Sequence, residues 1–275
     1  FISVPTAASV DGFVSTVAAM TWHGVKKTLP ARAPVAVYAD LDVIAAAPFR
    51  LTAAGFGDMV GKYTALADWW IAHLITGEFL CEEIFALEEE AVRKTVACVD
   101  SLKLREPEGI RALTEGLLLS GITMQMMGNS RPASGSEHHV SHFIEMLYED
   151  ETPKFLHGEK VGAATVALSE LYHGYAAAPA PLGARSIPTR EELESVYGKL
   201  TEGIEAENSE NISLKIEARR YEEVLPQIAE ILKKIPTAQE LEALLTSLGC
   251  PTGLAEIGMP SENRLMRFVP YARAR

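Results

Sequence analysis

Histidines crowd into one short stretch of this chain. Four of its seven histidines lie between residues 138 and 157, namely His138, His139, His142 and His157. Imidazole is the commonest protein ligand for zinc, nickel and iron, and a catalytic metal ion usually takes three protein ligands and keeps one position open. On a helix His138 and His142 share a face, whereas His139 points about 100° away from it. The spacing predicts a metal site, and the alternative is a set of ordinary surface or core histidines.

A carboxylate suited to such a site lies upstream, in the sequence GFGD. Gly55 and Gly57 predict a backbone turn, because glycine lets a chain turn sharply and approach another segment closely. Asp58 would then begin a helix, where the helix dipole favours a negative charge. An aspartate in this position can be a helix cap instead of a ligand, so it is the histidines that favour a metal-binding role.

The patterns around these residues predict a few strands followed by helices. Residues 1–4 form an apolar, β-branched run that predicts a buried strand, and 20–28 and 35–38 predict two more. From residue 58 onward the composition is helical, with long amphipathic segments. Helix-starting patterns occur at Asp40 with Asp42, at Thr189 with Glu192 and at Thr237 with Glu240.

Length and charge restrict the class of protein. The chain has 275 residues, 48% of them hydrophobic, which is enough for a large core and more than one lobe. Its net charge of −12 argues against nucleic acid or an anionic membrane as the main partner. Three widely spaced cysteines predict reduced thiols, and no apolar run reaches the roughly 18 residues that a membrane span needs. With no signal peptide visible, these features predict a soluble, cytoplasmic protein without membrane insertion.

Four motifs carry a resemblance to a known family. They are FISVPTAASVDGFVS at residues 1–15, AAGFGDMVGKYTALADW at 53–69, RPASGSEHHVSH at 131–142 and LHGEKVG at 156–162. In this order and spacing they resemble the NAD(P)-dependent sn-glycerol-1-phosphate dehydrogenases, a branch of the iron-containing alcohol dehydrogenase superfamily. The resemblance covers nearly the whole chain and is strongest over residues 1–162.

The resemblance implies a fold of two parts. Residues 1–50 would be the α/β edge of a dinucleotide-binding domain, and 51–275 an all-α metal-binding domain, as in the dehydroquinate synthase-like or iron-containing alcohol dehydrogenase fold. Members of the family carry a glycine-rich loop for the dinucleotide before the equivalent of residue 1. We therefore expect this chain to be part of a longer enzyme, with catalysis in the cleft between the two parts.

The resemblance also implies a ligand set. It points to Asp58, His138 and His157 as ligands of one divalent ion, zinc or nickel ahead of iron. The family pattern keeps Glu-His followed four positions later by a second histidine, which matches Glu137, His138 and His142 here. His139 is the main alternative to His138 as a ligand.

Roles around the metal follow from the same resemblance. Thr6, Ser9 and Asp11 would contact NAD(P), and Asp11 would also lie near the substrate, although Asp11 with Gly12 is by itself an ordinary turn. His142, one helical turn beyond a ligand, is the candidate for bonding the substrate or relaying a proton.

Two cations are candidates for a substrate phosphate. Lys62 lies four residues after Asp58 on the same helix face, and Arg131 precedes the histidine helix. Lysine and arginine supply the charge-assisted hydrogen bonds that a phosphate dianion needs. For Lys62 the alternative is a solvated surface charge.

Three functions compete at this point. The first is metal-dependent reduction of dihydroxyacetone phosphate to sn-glycerol 1-phosphate, a precursor of glycerophospholipids and ether lipids. The second is a glycerol dehydrogenase of the same superfamily, and the third is an inactive metal-binding fragment. The family tends to form homo-oligomers, so the resemblance implies that this chain does too.

Overall fold

The computed structural model describes residues 1–148, 154–181, 187–209, 216–259 and 266–272. A small strand-containing segment comes first, and the described chain after residue 40 is mainly helical. This agrees with the predicted α/β edge followed by a helical body. The boundary predicted near residue 50 falls at the beginning of a helix, and the division into two domains there stays a prediction.

A β-hairpin replaces the single strand predicted at residues 20–28. Strand β2 (Val17–Trp22) pairs antiparallel with β3 (Val25–Pro30), and Trp22 lies opposite Val25. His23 and Gly24 form the connecting turn with φ of 50° and 81°. A two-residue hairpin turn of this kind requires positive φ at both positions, which glycine adopts at no steric cost. The prediction failed because the turn is only two residues long and one of them is histidine.

The first strand is exposed, in contrast to the burial predicted for it. Strand β1 (Ile2–Ser3) pairs in parallel with the equally short β4 (Ala36–Val37). Phe1 is 73% exposed and Val4 is 62% exposed. Apolar composition predicted burial, but no described segment packs over these side chains in this chain.

Helices form most of the described chain after residue 40. Their bounds are α1 (Leu41–Ala46), α2 (Phe49–Val60), α3 (Lys62–Thr76), α4 (Glu82–Ala97), α5 (Val99–Lys103), α6 (Pro107–Met127), α7 (Ser136–Leu147), α8 (His157–Ala177), α9 (Arg190–Tyr197), α10 (Thr201–Glu207), α11 (Ala218–Leu232) and α12 (Ala238–Ser247). Short 3-10 turns lie at Gly12–Val14, Gly198–Leu200 and Val269–Ala272. None of the helices in the described ranges has the length and apolar character to cross a membrane.

Helices α2 and α8 touch through their backbones, which corrects the expected turn at GFGD. Gly55 and Gly57 lie inside α2, and Asp58 lies in its last turn instead of beginning a helix. A Cβ atom on Gly57 would collide with the carbonyl group of Gly158 in α8, and one on Gly158 would collide with the carbonyl oxygen of Ala54. The glycines therefore serve close helix packing, which fixes the distance between the two helices.

Candidate metal centre

Hydrogen bonds from the chain itself hold the Asp58 side chain in place. Its side chain is fully buried, and the backbone N–H of Asp11 donates to its Oδ2 at 3.0 Å. Lys62 Nζ donates to its Oδ1 at 2.8 Å from one turn further along the chain. A buried carboxylate needs such partners, because losing water is costly for a charge. Both oxygens are thus oriented by this chain itself.

His138 reaches Asp58 from the beginning of α7. Its Nδ1 lies 2.7 Å from Glu137 Oε1, and its Nε2 lies 3.9 Å from Asp58 Oδ1. Glu137 is fully buried and accepts a second hydrogen bond from Thr64 Oγ1 at 2.6 Å. A carboxylate bonded to Nδ1 fixes the orientation of the ring and leaves Nε2 available to bind a metal ion. Burial raises the pKa of Glu137, and its hydrogen bonds partly oppose that rise.

His157 is the first residue of α8. The start of the helix is fixed by Glu159, which accepts from the Leu156 backbone N–H at 2.8 Å. Arg50 in α2 clamps the same carboxylate through two hydrogen bonds of 2.6 and 2.7 Å. Such a bidentate pair fixes direction as well as distance. His157 therefore has a defined position relative to α2 and Asp58.

The structure brings the three predicted ligands together. One ligand atom from each of Asp58, His138 and His157 can be chosen so that all three atoms lie within 4.8 Å of one another. One carboxylate oxygen and two imidazole nitrogens form a donor set that suits zinc, nickel or iron(II). The residues present therefore fit a divalent ion. His139 does not belong to this group, although it adjoins His138 in sequence.

A cavity of about 420 Å³ opens beside this group. Asp11 and His142 line it together with His138 and His157. The ring centroid of His142 lies 6.3 Å from that of His138 and 6.4 Å from that of His157. His142 is thus placed for contact with a molecule bound at the centre, and the hairpin, the segment before α7 and the start of α8 form the walls.

Lys62 lies beneath the centre and not in the cavity. Its side chain is completely buried, and Nζ lies 2.8 Å from both Asp58 Oδ1 and Asp11 Oδ2. Ser120 Oγ also donates to Asp11 Oδ2, at 2.8 Å. Burial lowers the pKa of the Lys62 ammonium, but the charges of Asp11 and Asp58 outweigh this effect and hold the pKa above its usual value. The predicted contact between Lys62 and a substrate phosphate does not agree with this placement.

Three further residues predicted to contact substrate or cofactor, Arg131, Thr6 and Ser9, do not line this cavity. Arg131 makes a bidentate pair with Glu78, at 2.5 and 2.6 Å, and lines a different cavity. The structure therefore does not bring Arg131 to the centre. Thr6 is exposed and Ser9 half-buried, and neither lines the cavity beside the histidines, so their contact with NAD(P) stays a prediction.

Sequence reasoning missed a cluster of charges at one wall. Glu145 lies 3.4 Å from His157 Nδ1, 2.7 Å from Lys26 Nζ and 3.1 Å from Lys160 Nζ. Burial raises the pKa of Glu145, but its hydrogen bond to His157 and these positive charges outweigh that and hold the pKa well below its usual range. The alternation of side chains along β3 could have indicated this cluster, because it places Lys26 and Lys27 on opposite faces of the strand.

The buried carboxyl of Glu88 predicts a pH dependence of stability. Burial raises the pKa of Glu88 to about 7, although Lys62 and a hydrogen bond from Thr123 oppose the rise. The native state therefore binds more protons than the unfolded state between about pH 4.5 and 7, so stability falls as pH rises through that window. Relative to Glu88→Gln, the free energy of unfolding of the wild type should fall by up to about 3 kcal/mol across it.

Urea unfolding of the metal-free chain at several pH values measures this difference. Glu89→Gln is the matched control, because Glu89 is exposed on the same helix and its removal should leave the pH dependence unchanged. A constant difference between the wild type and Glu88→Gln over this window would contradict the prediction.

Comparison with known proteins agrees with this fold. Residues 1–48 match a protein family described as iron-containing alcohol dehydrogenase. A Bacillus subtilis protein named glycerol-1-phosphate dehydrogenase (NAD(P)+) is 45% identical over 204 residues, which are 74% of this chain and 52% of that protein. A Halalkalibacterium halodurans protein of the same name is 36% identical over 260 residues, 94% of this chain and 58% of that protein. The chain spans about half the length of the curated relatives it matches.

Solved structures share the fold. A probable glycerol dehydrogenase from Sinorhizobium meliloti superposes with a TM-score of 0.51 at 19% identity, covering 98% of this chain and 68% of that one. An archaeal alcohol dehydrogenase from a Red Sea brine pool gives a TM-score of 0.58 at 15% identity, covering 99% and 58%. The chain is therefore similar in sequence and fold to members of the iron-containing alcohol dehydrogenase superfamily. Within it, its sequence relatives are the glycerol-1-phosphate dehydrogenases of bacteria and archaea.

Proposed function

We propose that this chain carries the metal-binding and substrate-binding part of an NAD(P)-dependent dehydrogenase that interconverts dihydroxyacetone phosphate and sn-glycerol 1-phosphate. The observation that carries the proposal is the group of Asp58, His138 and His157 beside a cavity, in a chain whose relatives bear that enzyme's name. The product would be a precursor of glycerophospholipids or ether lipids, made in the cytoplasm. Assembly into homo-oligomers remains an expectation from the family.

Asp58, His138 and His157 would hold the divalent ion. When bound, a zinc or nickel ion supplies a positive charge that stabilises the oxygen of the substrate as its negative charge develops. The buried ion pair with Lys62 orients the Asp58 carboxylate. Glu137 orients the ring of His138 through its contact with Nδ1.

The substrate oxygen also needs a proton partner. His142 lines the cavity near both ligand histidines, so one of its ring nitrogens can donate a proton when the ketone is reduced and accept it when the alcohol is oxidised. Asp11 contributes to the same wall, where its carboxylate is fixed by Lys62 and Ser120. The fixed carboxylate can orient a substrate hydroxyl by accepting a hydrogen bond. Hydride transfer itself belongs to the nicotinamide.

Turnover of two substrates tests the proposal. NADH and NADPH oxidation would be followed spectroscopically with dihydroxyacetone phosphate and with dihydroxyacetone, after zinc or nickel is added. The chain would be assayed alone and also joined to the remaining part of the Bacillus subtilis relative. We expect a strong preference for the phosphorylated ketone, because a cation at the cavity makes stronger charge-assisted hydrogen bonds to a phosphate dianion than to the hydroxyl group of dihydroxyacetone.

The alternatives predict different results. Equal or better turnover of dihydroxyacetone would identify a glycerol dehydrogenase instead. Zinc binding without any oxidation of NADH or NADPH, even in the joined protein, would identify an inactive metal-binding fragment.

A further inference from the structure

A phosphate-binding group must lie close to the metal centre if the proposed function is right. In sn-glycerol 1-phosphate the phosphate is attached to the carbon next to the one that bears the reacting oxygen. The cation that recognises it must therefore line the same cavity as His138 and His157. Within the described part of the chain, Lys26 is the only lysine or arginine that lines this cavity.

Lys26 lies close to the proposed metal ligand His157, with Glu145 between them. Its Nζ lies 2.7 Å from Glu145 Oε2, and His157 Nδ1 lies 3.4 Å from Glu145 Oε1. One carboxylate group thus separates the ammonium from the ring of a proposed ligand. A three-carbon phosphate ester spans a gap of this order between its reacting oxygen and its phosphate.

A second lysine keeps Glu145 paired when Lys26 binds a phosphate. Glu145 pairs with two ammonium groups, those of Lys26 and Lys160. Lys26 is also the more accessible of the two lysines, with 19% of its side chain exposed against 3% for Lys160. A phosphate can therefore share Lys26 with Glu145 without leaving the carboxylate unpaired.

The hairpin positions Lys26 in advance. Its backbone N–H contacts Met146 Sδ at 3.3 Å, which ties β3 to α7. Lys27 Nζ pairs with Glu207 at 2.7 Å and does not line the cavity. Because adjacent residues of a strand point to opposite faces, this second pair holds the hairpin from the other side and leaves Lys26 directed at the cavity.

We propose that Lys26 binds the substrate phosphate and sets the preference for a phosphorylated three-carbon compound. This inference rests on the proposed function and replaces Lys62 and Arg131 in the phosphate-binding role. Lys62 is sealed beneath the centre by Asp11 and Asp58, and Arg131 is paired with Glu78 at another cavity.

Calorimetric titration of the zinc-loaded 275-residue chain tests this inference without the dinucleotide. The ligands are sn-glycerol 1-phosphate and glycerol. Lys26→Met should weaken binding of glycerol 1-phosphate about ten- to a hundredfold, since a charge-assisted hydrogen bond is lost, and leave binding of glycerol unchanged. Lys26→Arg should restore most of the affinity, and the matched control Lys27→Met should bind like the wild type.

The outcomes separate this inference from the proposed function. If the wild type prefers glycerol 1-phosphate and Lys26→Met keeps that preference, or Lys27→Met loses as much, then Lys26 is not the phosphate ligand and the function still stands. Equal or absent binding of the two ligands by the wild type would overturn both. Zinc affinity of each variant, measured by competition with a chromophoric chelator, shows that its centre is intact.

Discussion

Replacing Asp58 by asparagine is expected to lower the zinc affinity of the chain by at least about a hundredfold, because even partners outside the ligand shell contribute ten- to a hundredfold. Asparagine keeps the shape of the side chain but supplies no negative charge to a cation. It also leaves the buried ammonium of Lys62 with Asp11 as its remaining close carboxylate. Competition with a chromophoric chelator measures the change, and metal content per chain gives a second reading.

Glu88→Gln is the control for this experiment. Glu88 is another fully buried carboxyl group whose charge acts on Lys62, but it does not belong to the group of three ligands. Its replacement should leave zinc affinity nearly unchanged, because Glu88 supplies no ligand atom to the group of three. Unchanged zinc binding by Asp58→Asn would remove Asp58 from the ligand set.

Gly158→Ala is expected to destabilise the fold by about 3 kcal/mol or more, at the upper end of the range for overpacked sites. The new methyl group would collide with the carbonyl oxygen of Ala54, and a backbone atom inside a helix cannot move aside as a flexible side chain can. Helices α2 and α8 must then separate. Since Asp58 lies in α2 and His157 begins α8, zinc affinity should fall together with the free energy of unfolding.

Gly174→Ala in the same helix is the matched control. Nothing lies within 4 Å of a Cβ atom at this position. Alanine should stabilise the helix there by about 0.5–1 kcal/mol, because it has less backbone freedom to lose on folding. Urea unfolding of the two variants compares the effects, and equal changes in stability would argue against the close contact of α2 with α8.

Signals that depend on a few neighbouring residues were predictable from the sequence. Thr189 and Thr237 accept hydrogen bonds from the backbone of Glu192 and Glu240, as their capping patterns indicated. Asp40 caps α1 in the same way, accepting from the Asp42 backbone at 2.9 Å. These contacts form within one turn of helix, so local sequence is enough to specify them.

Features that depend on distant partners were not predictable in the same way. From the sequence alone Gly57 looks like a turn residue, because its contact, Gly158, lies about a hundred residues further along the chain. The sequence does not show that Lys62 is buried against Asp11. It also does not show that Arg131 is paired with Glu78. In each case the deciding contact is tertiary, and no periodicity encodes it.

The glycine contact between α2 and α8 also bears on the order in which the chain folds. Arg50 and Glu159, which clamp the two helices together, are 109 residues apart in sequence. Bringing such distant segments together costs chain entropy that is recovered only when the helices dock. Asp58 in α2 and His157 in α8 therefore cannot come together in an intermediate that has only local structure. The three proposed ligands of a nascent chain therefore come together only when its long-range topology is in place.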